Sequence, residues 1–133
     1  MKLIVCVDDK MGLAFGDKRQ SRDRVLIADM LREVGGAPLY ISPYSEMLFC
    51  GEDNLVVTEN PMARAGDNYV FIERTSPEAY EGKIEELILY RWGRHYPSDF
   101  YLALDLGKMK LTRREEFVGS SHDNIVKEIY TKE

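Results

Sequence analysis

Two cysteines, two histidines and one tryptophan in 133 residues leave little material for several common chemistries. Cys6 and Cys50 are too few for a disulfide scaffold, and no Cys/His spacing suits a zinc site. Cys6 falls inside an apolar run, where a free thiol behaves as a small hydrophobe, so a reduced, cytoplasmic setting is the simplest expectation. No window approaches about 18 consecutive apolar residues, which excludes a membrane-spanning helix. Positive charge is not in excess. Eighteen Lys and Arg against 23 Asp and Glu leave a net charge of −5, with no general attraction to nucleic acid or to an anionic membrane. A local basic patch needs the fold to segregate charge. Repeats, linkers and low-complexity tracts are also missing. What is present is ordinary: 44% hydrophobic and 31% charged residues, the balance of a globular chain. We expect one α/β domain over residues 1–133.

The start, Leu3-Ile4-Val5-Cys6-Val7, is followed at once by Asp8 and Asp9, too short for a signal peptide and right for a strand covered on both faces. Residues 9–20 read as a polar loop broken by Gly12 and Gly16. Leu26, Ile27, Met30, Leu31 and Val34 then follow helical spacing; Ser21 or Asp23 can cap the start, and Gly35-Gly36 stops it. Strands are expected at 38–42, 55–58, 69–73, 86–91 and 100–104. Ser42-Pro43, Asn60-Pro61 and Ser76-Pro77 open short helical turns. The last stretch reads as a β-hairpin, 109–118 and 125–131. Helical spacing also fits Ile125, Val126, Ile129 and Tyr130, but β-branched content favours a strand. Together these predict a mixed sheet flanked by helices with a C-terminal β-hairpin.

The opening Leu3-Ile4-Val5-Cys6-Val7-Asp8-Asp9-Lys10-Met11-Gly12-Leu13 resembles the first strand and following loop of dihydrofolate reductases, and the end, Lys110-Leu111-Thr112 to Glu115-Glu116-Phe117 with a closing strand, is similar to theirs. The resemblance implies a dihydrofolate reductase-like topology. It does not extend to the activity. Asp17-Lys18-Arg19-Gln20-Ser21-Arg22 stands where that family has a Leu-Pro-Trp type segment before its catalytic carboxylate. Tyr90-Arg91-Trp92-Gly93-Arg94 stands for the Gly-Gly pair that admits the nicotinamide cofactor's phosphates. The chain also looks like a small bacterial group with a Val7-Asp8-Asp9 start, an Arg19-Gln20-Ser21-Arg22-Asp23 segment and a Gly119-Ser120-Ser121-His122 loop, some members of which carry the label ribonuclease Z. That label implies a His-x-His-x-Asp-His metal motif. His95 and His122 stand alone and far apart, so a dizinc site cannot form.

Four constellations are candidates for chemistry. Asp8 and Asp9 end the first strand, where α/β sheets bind ligands, and could face Mg²⁺ or a ligand amine. Neighbouring strand residues point to opposite faces, so a shared metal is not expected and a turn-forming pair is the plainer reading. Lys18-Arg19-Gln20-Ser21-Arg22-Asp23-Arg24 crowds four cations at a helix start, which the helix dipole opposes unless an anion or neighbouring acids compensate. Tyr90 to Pro97 interleaves aromatics with Arg91, Arg94 and His95, suited to stacking a base or to anchoring a core edge. Gly119 to Asp123 offers an anion nest or a plain hairpin loop.

Three functions follow. The first is a pocket at one end of the sheet, lined by Asp8, Asp9, Arg19, Gln20, Ser21, Arg22, Arg94, His95 and His122, that takes an anionic or nucleotide-like small molecule. The second is a nuclease or RNA-associated protein, disfavoured by the net charge. The third is an interaction module, such as a homodimer joined through exposed Tyr and Trp residues. No cofactor is assigned by the sequence.

Overall fold

The computed structural model describes residues 1–133. A seven-stranded mixed sheet forms its centre, with β1 (Lys2–Val7) in the middle. The order is β5 (Leu55–Val57), β4 (Leu39–Ile41), β6 (Tyr69–Phe71), β1, β7 (Glu86–Arg91), β10 (Ile125–Lys132) and β9 (Met109–Phe117). The five strands from β5 to β7 are parallel, and β10 and β9 close the sheet as an antiparallel hairpin. This is the expected mixed sheet with its C-terminal hairpin.

Alternation along β1 divides the interior in two. Leu3, Val5 and Val7 pack with Leu13, Met62, Val70, Leu87 and Leu89 on one face. On the other, Ile4 packs with Leu26, Met30 and Val34 of α1 (Arg24–Val34), and with Phe49, Phe71, Ile88 and Tyr90. A near-continuous apolar run is what a strand buried on both faces requires.

Asp23 is the N-cap of α1, and its side chain accepts from the N–H groups of Val25 and Leu26. Gly35 ends the helix at φ 62°, a left-handed conformation that costs glycine little. The two proline-started segments at Pro43–Phe49 and Glu78–Lys83 wind as 3₁₀-helices, and α2 (Pro61–Arg64) is a single turn.

Two expectations need correction. Residues 9–20 are not a plain loop. They fold as a small hairpin, β2 (Gly12–Phe15) and β3 (Lys18–Arg19), turning through Gly16 and Asp17 at positive φ and joined by β8 (Phe100–Tyr101). β2 has only four residues, Gly12, Leu13 and Ala14 buried and Phe15 exposed, too short a run to show a strand's alternation. The strand expected over 100–104 has only two residues, Phe100 and Tyr101, and its pairing with β2 shifts register between Gly12 and Ala14. The final segment is a strand, with Ile125, Lys127 and Ile129 facing α1. Lys127 is buried there, its ammonium held by Asp29 and Glu33.

Candidate functional site

Parallel strands deliver their carboxyl ends to one edge of the sheet, and the β2–β3 hairpin folds back across that edge. Its last residue, Arg19, makes two parallel hydrogen bonds to Glu73, just beyond β6, with Nε to Oε1 at 2.7 Å and Nη2 to Oε2 at 2.9 Å. Ser45 donates to the same carboxylate at 2.8 Å. The Arg19 guanidinium also lies 4.4 Å from the centre of the Tyr44 ring, and Arg74, tied to Asp17, covers the same ring. The bond to Glu73 raises the Arg19 pKa further. Arg19 is therefore neutralised within the protein.

Gln20 follows, with its amide nitrogen donating to Ser98 and to the carbonyl of Pro97. Its Oε1 is buried and has no partner. Ser21 comes next, and its hydroxyl lies 3.1 Å from His122 Nε2 and 3.3 Å from the Tyr96 hydroxyl. Tyr96 is itself 2.7 Å from the same nitrogen. The opposite nitrogen, Nδ1, is 2.9 Å from Asp23 Oδ2. Trp92 stacks on the imidazole with centroids 4.7 Å apart. His122 and Asp23 are each 2% exposed.

Burial alone would raise the Asp23 carboxyl. Hydrogen bonds from His122, Ser121, Ser120 and Leu26 outweigh it and hold the pKa far below the usual range. An aspartate so strongly favoured as the anion does not take a proton from the ring. It fixes Nδ1 as the protonated nitrogen and leaves Nε2 as the acceptor facing the two hydroxyls.

Gln20, Ser21 and Arg22 line an internal cavity with Cys6, Leu26, Phe71 and Trp92. Its free volume is about 20 Å³, room for about one water. Burial pushes the Cys6 thiol up, which keeps it neutral there. Arg22, Ile27 and Leu48 also border an open groove of about 360 Å³, completed by Asp23, whose carboxylate is taken up by His122 and backbone N–H groups, and by Arg24, Met47, Ser120 and Ser121. Neither Arg22 nor Arg24 makes an ion pair, in contrast to Arg19. The N–H groups at the start of α1 are all engaged. Arg24 donates to Ser120 Oγ, Val25 and Leu26 to the Asp23 side chain, and Ile27 to the Asp23 carbonyl. No free donor remains there for an anion, so any compensation for the crowded cations falls to side chains.

The other named residues lie elsewhere. Asp8 is fully buried and accepts from the N–H groups of Lys10, Gly12 and Tyr96. Burial opposes its ionisation, but those bonds prevail and lower its pKa. It organises a turn. Asp9 and Arg94 are exposed, and His95 sits outside the cavity with Nδ1 3.5 Å from Asp8. Trp92 is 5% exposed, with one face on His122, so it offers no platform for a base and no surface for a homodimer. Glu73, Tyr44, Tyr96 and Asp23 are the residues that sequence reading missed as site members. A carboxylate just past a parallel strand, as Glu73 is, was the one available signal.

No protein-family model matches the chain, and no curated protein does. Among solved structures it is similar to dihydrofolate reductase from Enterococcus faecalis complexed with NADP(H) and RAB-propyl, with a TM-score of 0.69 and 11% identity over 98% of this chain and 95% of that one. The likeness shows the fold: a dihydrofolate reductase-like mixed sheet flanked by helices. The ribonuclease Z label has no support, since the topology is different from what it implies and no group of three or more His, Cys, Asp and Glu could hold a metal ion. No helix is long and apolar enough to cross a membrane.

Proposed function

We propose that the protein binds an anionic small molecule in the groove between the start of α1 and the Pro43–Phe49 turn, with Arg22 and Arg24 holding the charged group and Ile27, Met47 and Leu48 holding an apolar part. The observation that carries this reading is the pair of arginines without acidic partners beside a groove of about 360 Å³, within the size range of small-molecule sites. Arginine is suited to this because its planar fork matches carboxylate and phosphate oxygens in pairs. Ser120 and Ser121 add hydroxyls at the rim.

The solved relative carries NADP(H), and the residues here do not fit such a dinucleotide. A pyrophosphate needs glycine backbone open to approach and free N–H groups. The two glycines beside the carboxyl ends of β1 and β7 are both filled against the chain itself. A Cβ on Gly12 would meet Ser98, and one on Gly93 would meet the Asn124 carbonyl. At the end of β6 stands Glu73, a carboxylate that repels phosphate. No reduction step is derived for this chain.

Thermal unfolding with inorganic phosphate, AMP or folate tests the proposal. At ten times Kd, binding stabilises by about 1.4 kcal/mol, a Tm rise of roughly 4–6 °C. The rise is expected to vanish in an Arg22→Ala/Arg24→Ala double variant. No rise with any of the three anions, or an equal rise in the double variant, refutes the reading.

A further inference from the structure

We infer that Ser21 is an acylatable nucleophile, activated by His122 and Asp23, in a site that hydrolyses short-chain acyl esters of an anionic alcohol. The inference goes beyond binding, although the anionic half of the substrate rests on the groove described above.

Ser21 and Asp23, neighbours at the start of α1, meet His122 from about 100 residues further along the chain. Asp23 Oδ2 fixes His122 Nδ1 at 2.9 Å, and Nε2 faces the Ser21 hydroxyl at 3.1 Å. A hydroxyl within hydrogen-bond reach of an imidazole, itself oriented by a carboxylate, is the geometry that converts a weak nucleophile into a working one. Tyr96 lies against the same two groups, its hydroxyl 3.3 Å from Ser21 Oγ and 2.7 Å from His122 Nε2. His122 has no free edge for another role, since Trp92 covers its face and Ser121, Tyr96, Ser21 and Asp23 surround its nitrogens.

A second observation comes from the cavity itself. Gln20 Oε1 lines it without a hydrogen-bond partner, next to Ser21, in a space sized for one water. The neighbouring Nε2 donates to Ser98 and to the Pro97 carbonyl. A water donating to Oε1 would stand beside the nucleophile. The small free volume excludes a long acyl chain, and Arg22 lines both this cavity and the groove.

The reaction balances without a further reagent. His122 Nε2 takes the Ser21 proton as Oγ bonds to the acyl carbon, the ester C–O bond breaks, and the leaving alkoxide takes that proton from the imidazolium. The water then gives a proton to Nε2 and attacks the acyl carbon. The Ser21 ester breaks, and the proton returns to Oγ. The products are a carboxylic acid and an alcohol. Asp23 acts through His122 and is a positioning residue.

The full chain is treated with an alkyl fluorophosphonate and, separately, with p-nitrophenyl acetate, and adducts are mapped by peptide mass spectrometry. The expected result is an adduct on Ser21 and acetate hydrolysis that falls about 100-fold in Ser21→Ala. Ser21→Cys should restore acylation at position 21. Asp23→Asn should shift the pH profile of the labelling rate, which loss of a helix cap alone does not do. No adduct on Ser21, or hydrolysis unchanged in Ser21→Ala, overturns the inference. Because p-nitrophenyl acetate is uncharged, its hydrolysis does not depend on the arginines. A wild-type Tm rise with phosphate but no acylation therefore removes this inference alone, and acylation without any anion-induced rise removes the binding reading alone.

Discussion

Replacing Asp23 with alanine removes one carboxylate that serves two distant segments. Its Oδ1 accepts from the N–H groups of Val25, Leu26 and Ser120, and its Oδ2 from the Ser121 N–H and from His122. Loss of the cap costs about 1 kcal/mol. The donors of the 119–124 loop are then left facing a methyl group, and each unsatisfied buried donor costs about 1–3 kcal/mol before relaxation. Water can reach some of them, so the expected total is about 3–5 kcal/mol, a large share of a typical domain's stability. The sign with pH follows from the depressed carboxyl. Its contribution is fully present above the unfolded value, about 3.9, and is lost as pH falls towards the lower folded value. Urea unfolding followed by Trp92 fluorescence, at pH 7 and at pH 3, measures both. Trp92 is suited because it stacks on His122 and is the one tryptophan. The gap between wild type and Asp23→Ala should narrow at pH 3. A cost below about 1 kcal/mol at pH 7, or the same gap at both pH values, refutes the account of Asp23 as the joint between helix and loop.

Gly93→Ala should destabilise by about 2–3 kcal/mol, because φ is +75° and the new Cβ would collide with the Asn124 carbonyl; Gly36→Ala, at φ +84° with open space around it, should cost about 1 kcal/mol, and equal Tm losses for the two would contradict the contact. Arg19→Ala should cost about 2–4 kcal/mol by stranding the Glu73 carboxylate, which is 8% exposed, and should speed modification of Cys6 by a thiol reagent, since both side chains line the cavity. An unchanged Cys6 rate would show that Arg19 does not close it. Lys127→Met should cost about 3 kcal/mol at pH 7, because Asp29 and Glu33 on α1 lose their buried cation and keep only Tyr90 and Arg32 on the one and Arg113 on the other. In the wild type burial opposes ionisation of both acids, but bonds to Lys127 lower their pKa values, so their contribution is lost as pH falls below about 4. The dependence should be weaker in the variant, where Tyr90, Arg32 and Arg113 remain, and parallel pH–stability curves in urea would contradict it.

Much of the fold was legible because local signals agreed with the tertiary result. The doubly covered β1, the Asp23 and Gly35 ends of α1, and the three proline-started turns rest on periodicity and capping, which neighbouring residues settle among themselves. The β2–β3 hairpin was not legible, since its strands are only four and two residues long and owe their pairing to β8 and to the Arg19–Glu73 clasp.

The site divides in the same way. That cations crowd the start of α1, and that one histidine lies in a Gly/Ser loop, was evident from the order of residues alone. Which cations are neutralised, and what the histidine touches, depended on contacts across 54 and 99 positions, Arg19 with Glu73 and Asp23 with His122. Charge and hydrogen-bond complementarity at such separations is created by sheet order, and no local pattern encodes it. The amino-acid order determined where the chain would bend and bury itself. Only the packed sheet decided that Arg19 would be spent on Glu73 while Arg22 faced an open groove, because the carboxyl ends of non-adjacent strands meet there and nowhere in the sequence.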